Sequence, residues 1–102
     1  MHKNIRDRRL LDLAYEYPCM LRHEAICEGG KGEPAHSNQP KHGKGGAMKA
    51  HDLFHLPACR SCHREFDQGE TMTRDEKRDL FDYLHSQYMV MLWDDGHIGV
   101  IG

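Results

Sequence analysis

The first amphipathic pattern along the chain covers residues 4–14. Its apolar positions lie roughly on one side of a helix, and arginines cover much of the remaining surface. These apolar positions are Ile5, Leu10, Leu13 and Ala14. We therefore predict a basic N-terminal helix within residues 1–17, which Pro18 ends.

A longer pattern at helical spacing covers residues 73–95. Thr73 and Glu76 fit the capping box that opens many helices, and Gly96 follows the last apolar position. The apolar stripe consists of Leu80, Phe81, Leu84, Tyr88, Met91 and Leu92. We predict a long C-terminal scaffold helix here, since its acidic outer face would repel phosphates.

The segment between these helices has weaker patterns. Residues 19–27 predict a short hairpin or an extended loop, and residues 28–47 are rich in Gly, Pro and Lys and should be irregular. Residues 53–56 fit a short strand. A helix of about two turns should then cover residues 61–68, with Gly69 as its C-terminal stop.

The length of 102 residues, 38 % of them hydrophobic, predicts one domain with a modest core that needs an additional staple. No apolar stretch approaches the roughly 18 residues of a membrane span. The N-terminus has no apolar signal-peptide core, so we predict a cytoplasmic protein. In that compartment cysteines more often bind a metal than form disulfides.

Charge is distributed unevenly along the chain, although its formal net value is only -2. Residues 1–64 hold 11 Lys/Arg and 7 Asp/Glu, a balance of +4, while residues 65–102 hold 3 and 9, a balance of -6. The cysteine-bearing part is basic and the tail is acidic. A phosphate-binding face in the first part is therefore compatible with the composition.

Four cysteines occur in two pairs, with seven residues between Cys19 and Cys27 and two between Cys59 and Cys62. Four thiolates are the number that a closed structural zinc site needs. We predict a zinc site at these four residues, which would add folding free energy to a chain with little core. The alternatives are a secreted disulfide framework, unligated thiols in the first pair, and a site in which His63 replaces one cysteine.

A histidine and a carboxylate follow the second cysteine pair. His63 and Asp67 are four residues apart, so they share one face of the predicted helix and suit Mg²⁺, Mn²⁺ or a catalytic Zn²⁺. Hydrolysis of a phosphodiester needs a base to activate water and a cation at the phosphate. His36 is our candidate base, and Asp52 is a further candidate ligand of that cation. With nine histidines in the chain, an ordinary surface role is the alternative for any one of them.

In combination these residues resemble the YbcO-type family, a group of small prophage-encoded nucleases within the HNH or ββα-metal class. The resemblance covers nearly the whole chain, in order. It rests on Pro18-Cys19 after an arginine-rich helix, Cys27, residues 35–38 (Ala-His-Ser-Asn), residues 49–52 (Lys-Ala-His-Asp), residues 57–63, Phe66-Asp67 and Leu92-Trp93.

The resemblance implies a small α+β fold with an HNH-like ββα-metal core of treble-clef type, stapled by zinc within residues 18–69. By that resemblance His36 is the general base, and His63 and Asp67 bind the catalytic metal on the helix. Asp52 stands roughly where the central Asn or Asp of the family lies.

One position departs from the family pattern. Many HNH enzymes have an Asp or His ligand just before the base, and Ala35 occupies that position here. A third protein ligand must come from elsewhere, with Asp52 or His51 as the candidates. The resemblance also implies a bacterial or phage-encoded protein.

Basic residues near these positions are candidates for contacts with nucleic acid. They lie in the Gly-rich segment before Asp52 and beside His63: Lys41, Lys44, Lys49, Arg60 and Arg64. Each phosphate contact would add affinity and salt sensitivity. An ordinary solvated loop is the alternative for the lysines. No helix-turn-helix or other reader of base edges is evident, so we expect DNA recognition that depends on structure rather than sequence.

The candidate site residues predict a metal-dependent endonuclease that hydrolyses DNA phosphodiester bonds, and the resemblance implies a role in prophage-type DNA processing or recombination. A homodimer or a recombination protein is the expected partner. The alternative is a non-catalytic zinc-binding module that binds nucleic acid or a repair protein. A further alternative is a regulatory subunit whose acidic C-terminal helix docks on a larger enzyme.

Overall fold

The structure, a computed structural model, describes residues 4–100 of the chain. This part of the chain contains three α-helices and a two-stranded sheet. Helix α1 spans Arg8–Asp12 and continues as a 3₁₀ turn over Leu13–Glu16. Strand β1 spans Glu33–His36, β2 spans His55–Ala58, α2 spans Arg60–Gln68 and α3 spans Arg74–Asp94, with a short 3₁₀ turn at Pro40–His42. The fold is therefore a small α+β arrangement. Strands β1 and β2 form the sheet, and α2 follows β2 directly in the chain.

The two strands pair antiparallel, with Pro34 directly opposite Pro57. Just beyond the ladder, the N–H of Ser37 donates to the carbonyl of Phe54 at 2.9 Å. Because hydrogen-bonded and non-hydrogen-bonded pairs alternate in such a ladder, the two prolines occupy a non-hydrogen-bonded pair. Neither proline needs an N–H toward its partner there, so the sheet tolerates both.

The strands differ from the sequence expectation. Residues 28–47 were expected to be irregular, yet β1 lies within them, and β2 begins two residues later than the predicted 53–56 strand and contains Pro57. A four-residue strand with a central proline has no periodic hydrophobic signal. The segment 33–36 is a strand only because it pairs with β2.

The N-terminal helix is shorter than predicted. It begins at Arg8, because the Asp7 side chain accepts the N–H of Arg9 at 2.9 Å as its N-cap. Residues 1–3 of the predicted segment lie outside the described residues. The backbone at Ile5 pairs with the loop before β2 instead of forming a helical turn: its carbonyl accepts the N–H of Asp52 at 3.0 Å.

The two later helices agree with the sequence. Helix α2 covers nearly the expected residues, and Cys59 is its N-cap. Helix α3 opens with the complete capping box of Thr73 and Glu76, in which each side chain bonds the other residue's backbone N–H. No helix within residues 4–100 is long and apolar enough to cross a membrane.

The main core lies between the sheet, α2 and one face of α3. Leu56 of β2 and Phe66 of α2 pack with the predicted stripe of α3, of which three members are almost fully buried and three partly buried. The buried members are Phe81, Tyr88 and Leu92. A second small cluster surrounds the cysteines. This packing holds β1, β2 and α2 against each other and so positions the side chains described next.

Candidate functional site

Four cysteine sulfurs converge between the first loop, residues 17–32, and the start of α2. The Sγ atoms of Cys19, Cys27, Cys59 and Cys62 all lie within 4.8 Å of one another, and three of these residues are buried. All four are free thiols. Sulfur ligands about 2.3 Å from one tetrahedral ion lie within that distance of each other. The cluster could therefore hold a metal ion, as the sequence predicted.

Local and tertiary contacts both assemble this cluster. Cys59 follows β2 directly and Cys62 lies in the first turn of α2, so the second pair is positioned by adjacent elements. The first pair depends on tertiary hydrogen bonds, because the N–H of Cys19 donates to the carbonyl of Gly30 at 3.0 Å and that of Met20 to Pro57 at 2.8 Å. The widely spaced pair could not have been placed by its own spacing.

Backbone N–H groups support negative charge on the sulfurs. Four of them donate to three sulfurs, each at 3.4 Å: His23 to Cys62, Glu28 and Cys62 to Cys59, and Gly29 to Cys27. Burial raises the pKa of the Cys59 thiol, but its two N–H donors and the neighbouring Cys62 and Cys19 thiols together outweigh burial and lower that pKa to about 7. Burial raises the pKa of Cys62. A bound cation would favour the thiolate at every position.

A histidine and a buried carboxylate pair at the end of β1. The Nε2 atom of His36 lies 2.9 Å from Oδ1 of Asp52. Asp52 is 3 % exposed, and its other oxygen accepts the backbone N–H of Asp7 at 2.7 Å. Since the carboxylate accepts from Nε2–H, the favoured tautomer leaves Nδ1 of His36 as a proton acceptor. Within residues 4–100, Nδ1 makes no hydrogen bond to the protein.

The Asp52 carboxylate is held in its charged form by these partners. Burial raises its pKa, but the hydrogen bonds from His36 and the Asp7 backbone, with the nearby Arg6, outweigh burial and lower it. The Arg6 guanidinium lies 3.4 Å from Oδ1 and also donates to the carbonyl of Ala50 at 2.8 Å. Asp52 is therefore placed to orient His36.

A second pair of titratable groups lies on α2. The Nε2 atom of His63 is 3.1 Å from Oδ2 of Asp67, and its Nδ1 is 2.9 Å from Oε2 of Glu33. These bonds, that to Asp67 first, raise the pKa of His63 against the opposing effect of burial. Asn38 donates to the other Asp67 oxygen at 3.1 Å. Both ring nitrogens of His63 thus contact carboxylates and neither contacts a cysteine. The alternative zinc site containing His63 is therefore not formed.

One cleft of about 380 Å³ is lined by both His36 and the His63–Asp67 pair. Strand β1 contributes His36 from one side and α2 contributes the pair from the other. Lys44 and Lys49 line the same cleft and make it attractive to an anion. The structure thus brings together three of the predicted site residues and two of the predicted basic residues.

The candidates for a third metal ligand lie elsewhere. Asp52 bonds to His36 and does not line the cleft. The Nδ1 atom of His51 accepts the N–H of Ile5 at 2.8 Å. Among the residues from 4 to 100, the cysteine cluster is the group of three or more His, Cys, Asp or Glu that converges on one point. Neither candidate joins His63 and Asp67.

The remaining predicted basic residues have different surroundings. Lys41 is paired with Asp82 of α3 at 2.6 Å. Arg60 and Arg64 are exposed on α2 and line a shallow depression beside His63 and Asp67. The arginines therefore remain near the site, while Lys41 contributes to the packing of the Pro40–His42 turn against α3.

Sequence reasoning missed three residues that shape the site: Glu33, Asn38 and Arg6. Glu33 and Asn38 flank His36 in a segment expected to be irregular, so nothing local indicated their direction. Arg6 is one of several arginines in an amphipathic pattern. The one available signal was that Glu33 and Asn38 are polar and lie within three residues of His36, the candidate base.

The chain matches no family model, and it has no significant match among curated proteins or solved structures.

Proposed function

We propose that this protein is a metal-dependent endonuclease of the HNH or ββα-metal type. The observation that carries the proposal is the shared cleft, in which a histidine oriented by a buried carboxylate faces a histidine–aspartate pair across a lysine-lined space. A base, a set of cation ligands and an anion-attracting wall are the parts that phosphodiester hydrolysis requires. The chain order β1, β2, α2 agrees with the strand–strand–helix order of that class.

The proposed metal of the cysteine cluster is zinc with a structural role. Four thiol ligands in a buried, closed arrangement are typical of structural zinc, whereas catalytic zinc sites keep a position open for water. The cluster joins the first loop to the β2–α2 corner. It would therefore fix the start of α2, which carries His63, and the end of β2, with which the His36 strand pairs.

Each residue of the cleft has a proposed role. Nδ1 of His36 accepts a proton from water, and the water oxygen attacks phosphorus while the bond to the leaving oxygen breaks. Asp52 keeps His36 in the required tautomer and stabilises it once protonated. His63 and Asp67 would hold Mg²⁺ or Mn²⁺, which supplies charge neutralisation at the phosphate when bound.

Glu33 completes this arrangement through His63. Histidine ligands of metals commonly donate their second ring N–H to a carboxylate, which orients the ring and raises its basicity. Glu33 contacts Nδ1 of His63 at 2.9 Å and so favours a proton on that nitrogen. Nε2, which contacts Asp67 at 3.1 Å, would then bind a metal in place of that contact. Glu33 thus takes a positioning role, and Asp52 is assigned to His36 instead of the metal.

The proposed substrate is DNA recognised by its structure, because the cleft offers lysines for phosphate contacts and the chain shows no reader of base edges. One cleft per chain cuts one strand. Double-strand cleavage would therefore require a homodimer, and a role in prophage recombination would provide a protein partner.

The test is a cleavage assay on supercoiled plasmid with Mg²⁺ or Mn²⁺. The zinc-loaded chain is compared with His36→Ala and with His97→Ala, a control at an exposed histidine near the C-terminus. We expect nicking by the wild type and the control, and none by His36→Ala with zinc content and circular dichroism unchanged. Absence of cleavage in all three folded proteins would favour the non-catalytic zinc module. Equal cleavage by all three would assign the activity to another residue or to a contaminant.

A further inference from the structure

A second cavity adjoins the cleft and differs from it in character. Its volume is about 370 Å³, and Asn38 and Asp67 line both spaces. The cavity lies between α2 and the first turns of α3. Its apolar wall consists of Phe66, Met72 and Phe81. This size is within the roughly 300–1,000 Å³ range of sites that bind small ligands.

The basic side of this cavity has an unusual composition. Residues 65–102 contain nine acidic residues and three basic ones. All three basic residues line this one cavity: Arg74, Lys77 and Arg78. Their spacing of three and four residues places them on one face of α3. The rest of the acidic helix has no such face.

These cations are not explained by helix stability or by ion pairs. Positive charge near a helix N-terminus opposes the helix dipole. Within residues 4–100, Arg74 and Arg78 form no ion pair. Lys77 donates to the carbonyl of Gly69 at 2.8 Å. Glu70 and Asp67 are the acidic residues of the lining, so the cations are in excess. A bound cation at Asp67 would increase that excess.

We propose that this cavity binds a nucleotide of an unpaired DNA strand next to the phosphate in the cleft. The base lies against half-buried Met72, above the edges of the core residues Phe66 and Phe81, which are 4 % and 1 % exposed. Arg74 and Arg78 bind the phosphate of that nucleotide. Guanidinium groups suit phosphate because they present parallel N–H donors, and an apolar wall accepts a base of any sequence. This inference rests on the proposed nuclease function, since it names the form of DNA that the same site would accept.

A base inside a duplex cannot reach such a cavity unless it leaves the stack, which costs free energy. Single-stranded segments, flaps and mispaired positions avoid most of that cost. The cavity therefore predicts a preference for DNA with an unpaired nucleotide at the cleavage position.

Binding can be tested without cleavage. The zinc-loaded, ¹⁵N-labelled chain is titrated with deoxyadenosine monophosphate, deoxyadenosine and inorganic phosphate in separate experiments without Mg²⁺ or Mn²⁺. We expect the nucleotide to shift the amide signals around Gly69, Met72 and Lys77, and to bind more tightly than either part alone. The variant Arg74→Gln/Arg78→Gln should weaken nucleotide binding by about tenfold or more, as expected for losing charge-assisted hydrogen bonds. The control variant is Arg9→Gln, whose side chain is 93 % exposed on α1.

Three results would overturn the proposal. They are an unchanged nucleotide affinity in the double variant, an equal loss in Arg9→Gln, or phosphate binding as tight as the whole nucleotide. A matched pair of oligonucleotides, one single-stranded and one duplex, then shows whether the cavity binds a nucleotide within an unpaired strand or only a free nucleotide. If the single strand binds more tightly than the duplex, and the double variant loses this difference, the result supports binding of an unpaired strand. Equal binding of the two oligonucleotides contradicts the proposal.

The outcomes also separate this inference from the nuclease proposal. If the chain cuts no DNA but the nucleotide still shifts the cavity signals in the wild type and in His36→Ala, the nuclease proposal fails and the nucleotide site stands. If the chain nicks plasmid in a His36-dependent way but the cavity signals do not move, the nucleotide site alone is wrong.

Discussion

Asp52 accepts a hydrogen bond from Nε2 of His36 at 2.9 Å, although the two residues are sixteen positions apart in the chain. The carboxylate is almost fully buried and is bound by the Asp7 backbone and the Arg6 side chain. His36 lines the open cleft. The pair therefore joins a buried anion to an accessible imidazole.

Asp52→Asn should lower the turnover of DNA cleavage by about 10²-fold or more while preserving the fold. The amide keeps the shape of the side chain but can present N–H to Nε2, which favours the wrong tautomer of His36. The measurement is the single-turnover rate on plasmid with bound zinc verified. Asp82→Asn is the matched control, because Asp82 pairs with Lys41 outside the cleft. A rate equal to that of the control would remove Asp52 from the mechanism.

Glu33→Gln should weaken Mn²⁺ binding at the His63–Asp67 pair by about 10- to 100-fold, the usual effect of losing the partner of a metal-bound histidine. Mn²⁺ affinity is measured by electron paramagnetic resonance on the zinc-loaded chain. Glu24→Gln, at an exposed glutamate in the first loop, is the control. If both variants bind Mn²⁺ as the wild type does, Glu33 does not position His63.

Removal of zinc should unfold much of the chain. Binding of structural zinc contributes about 10–16 kcal/mol of apparent free energy in small zinc peptides, and the core here is modest. We expect a strong chelator to abolish the thermal unfolding transition, and added Zn²⁺ to restore it. Cys62→Ser should show the same loss without chelator. A chelated chain that keeps its transition with no zinc detectable by mass spectrometry would rule out the staple.

His55 should make the fold less stable in acid. It is buried, with Nδ1 donating to the carbonyl of Asp52 at 2.6 Å and Nε2 accepting from the Tyr88 hydroxyl at 3.0 Å. Burial lowers its pKa to about 4. Because the unfolded chain binds a proton near pH 6.5 and the folded one does not, stability should fall between pH 6.5 and 4 by about 3 kcal/mol in total.

The check is urea unfolding at several pH values for the wild type and for His55→Gln. The glutamine variant is expected to be less stable at neutral pH but to have a shallower decline on acidification. The difference between the two curves isolates His55 from protonation of the cysteines, which affects both proteins alike. Parallel curves would mean that His55 does not carry this dependence.

Lys44→Gln with Lys49→Gln should reduce DNA affinity and lower the slope of log K against log salt by about 1.8 on duplex DNA, the value for two phosphate contacts. Lys41→Gln is the matched control, since this lysine is already paired with Asp82. The measurement is fluorescence anisotropy of labelled DNA at several salt concentrations. An equal effect of all three lysines would indicate a general charge effect and no specific contact in the cleft.

Residues that depend on local spacing were predictable from the sequence. The capping box of α3, the position of α2 and the buried stripe at Phe81, Tyr88 and Leu92 all follow from neighbours three or four residues apart. The four cysteines could be named as one set by their number and chemistry. The pairing of His63 with Asp67 also follows from helical spacing.

Other features have no local signal. Strand β1 contains a proline and exists because β2 pairs with it. The contacts of His36 with Asp52, and of His63 with Glu33, join side chains from segments far apart in the chain. The cavity cations were hidden in a helix whose overall charge is acidic.

By itself, the sequence determined α2 and α3, the capping box of α3, the set of four cysteines and the pair on α2, because these depend on spacing within one turn or on the chemistry of single residues. Only the tertiary structure decided the partners of each titratable group, the direction of Asp52 and the placing of Arg74, Lys77 and Arg78 at one cavity. Those relationships depend on how the β1–β2 pair and α2 pack against α3, and a side chain's neighbour across that packing leaves no pattern along the chain.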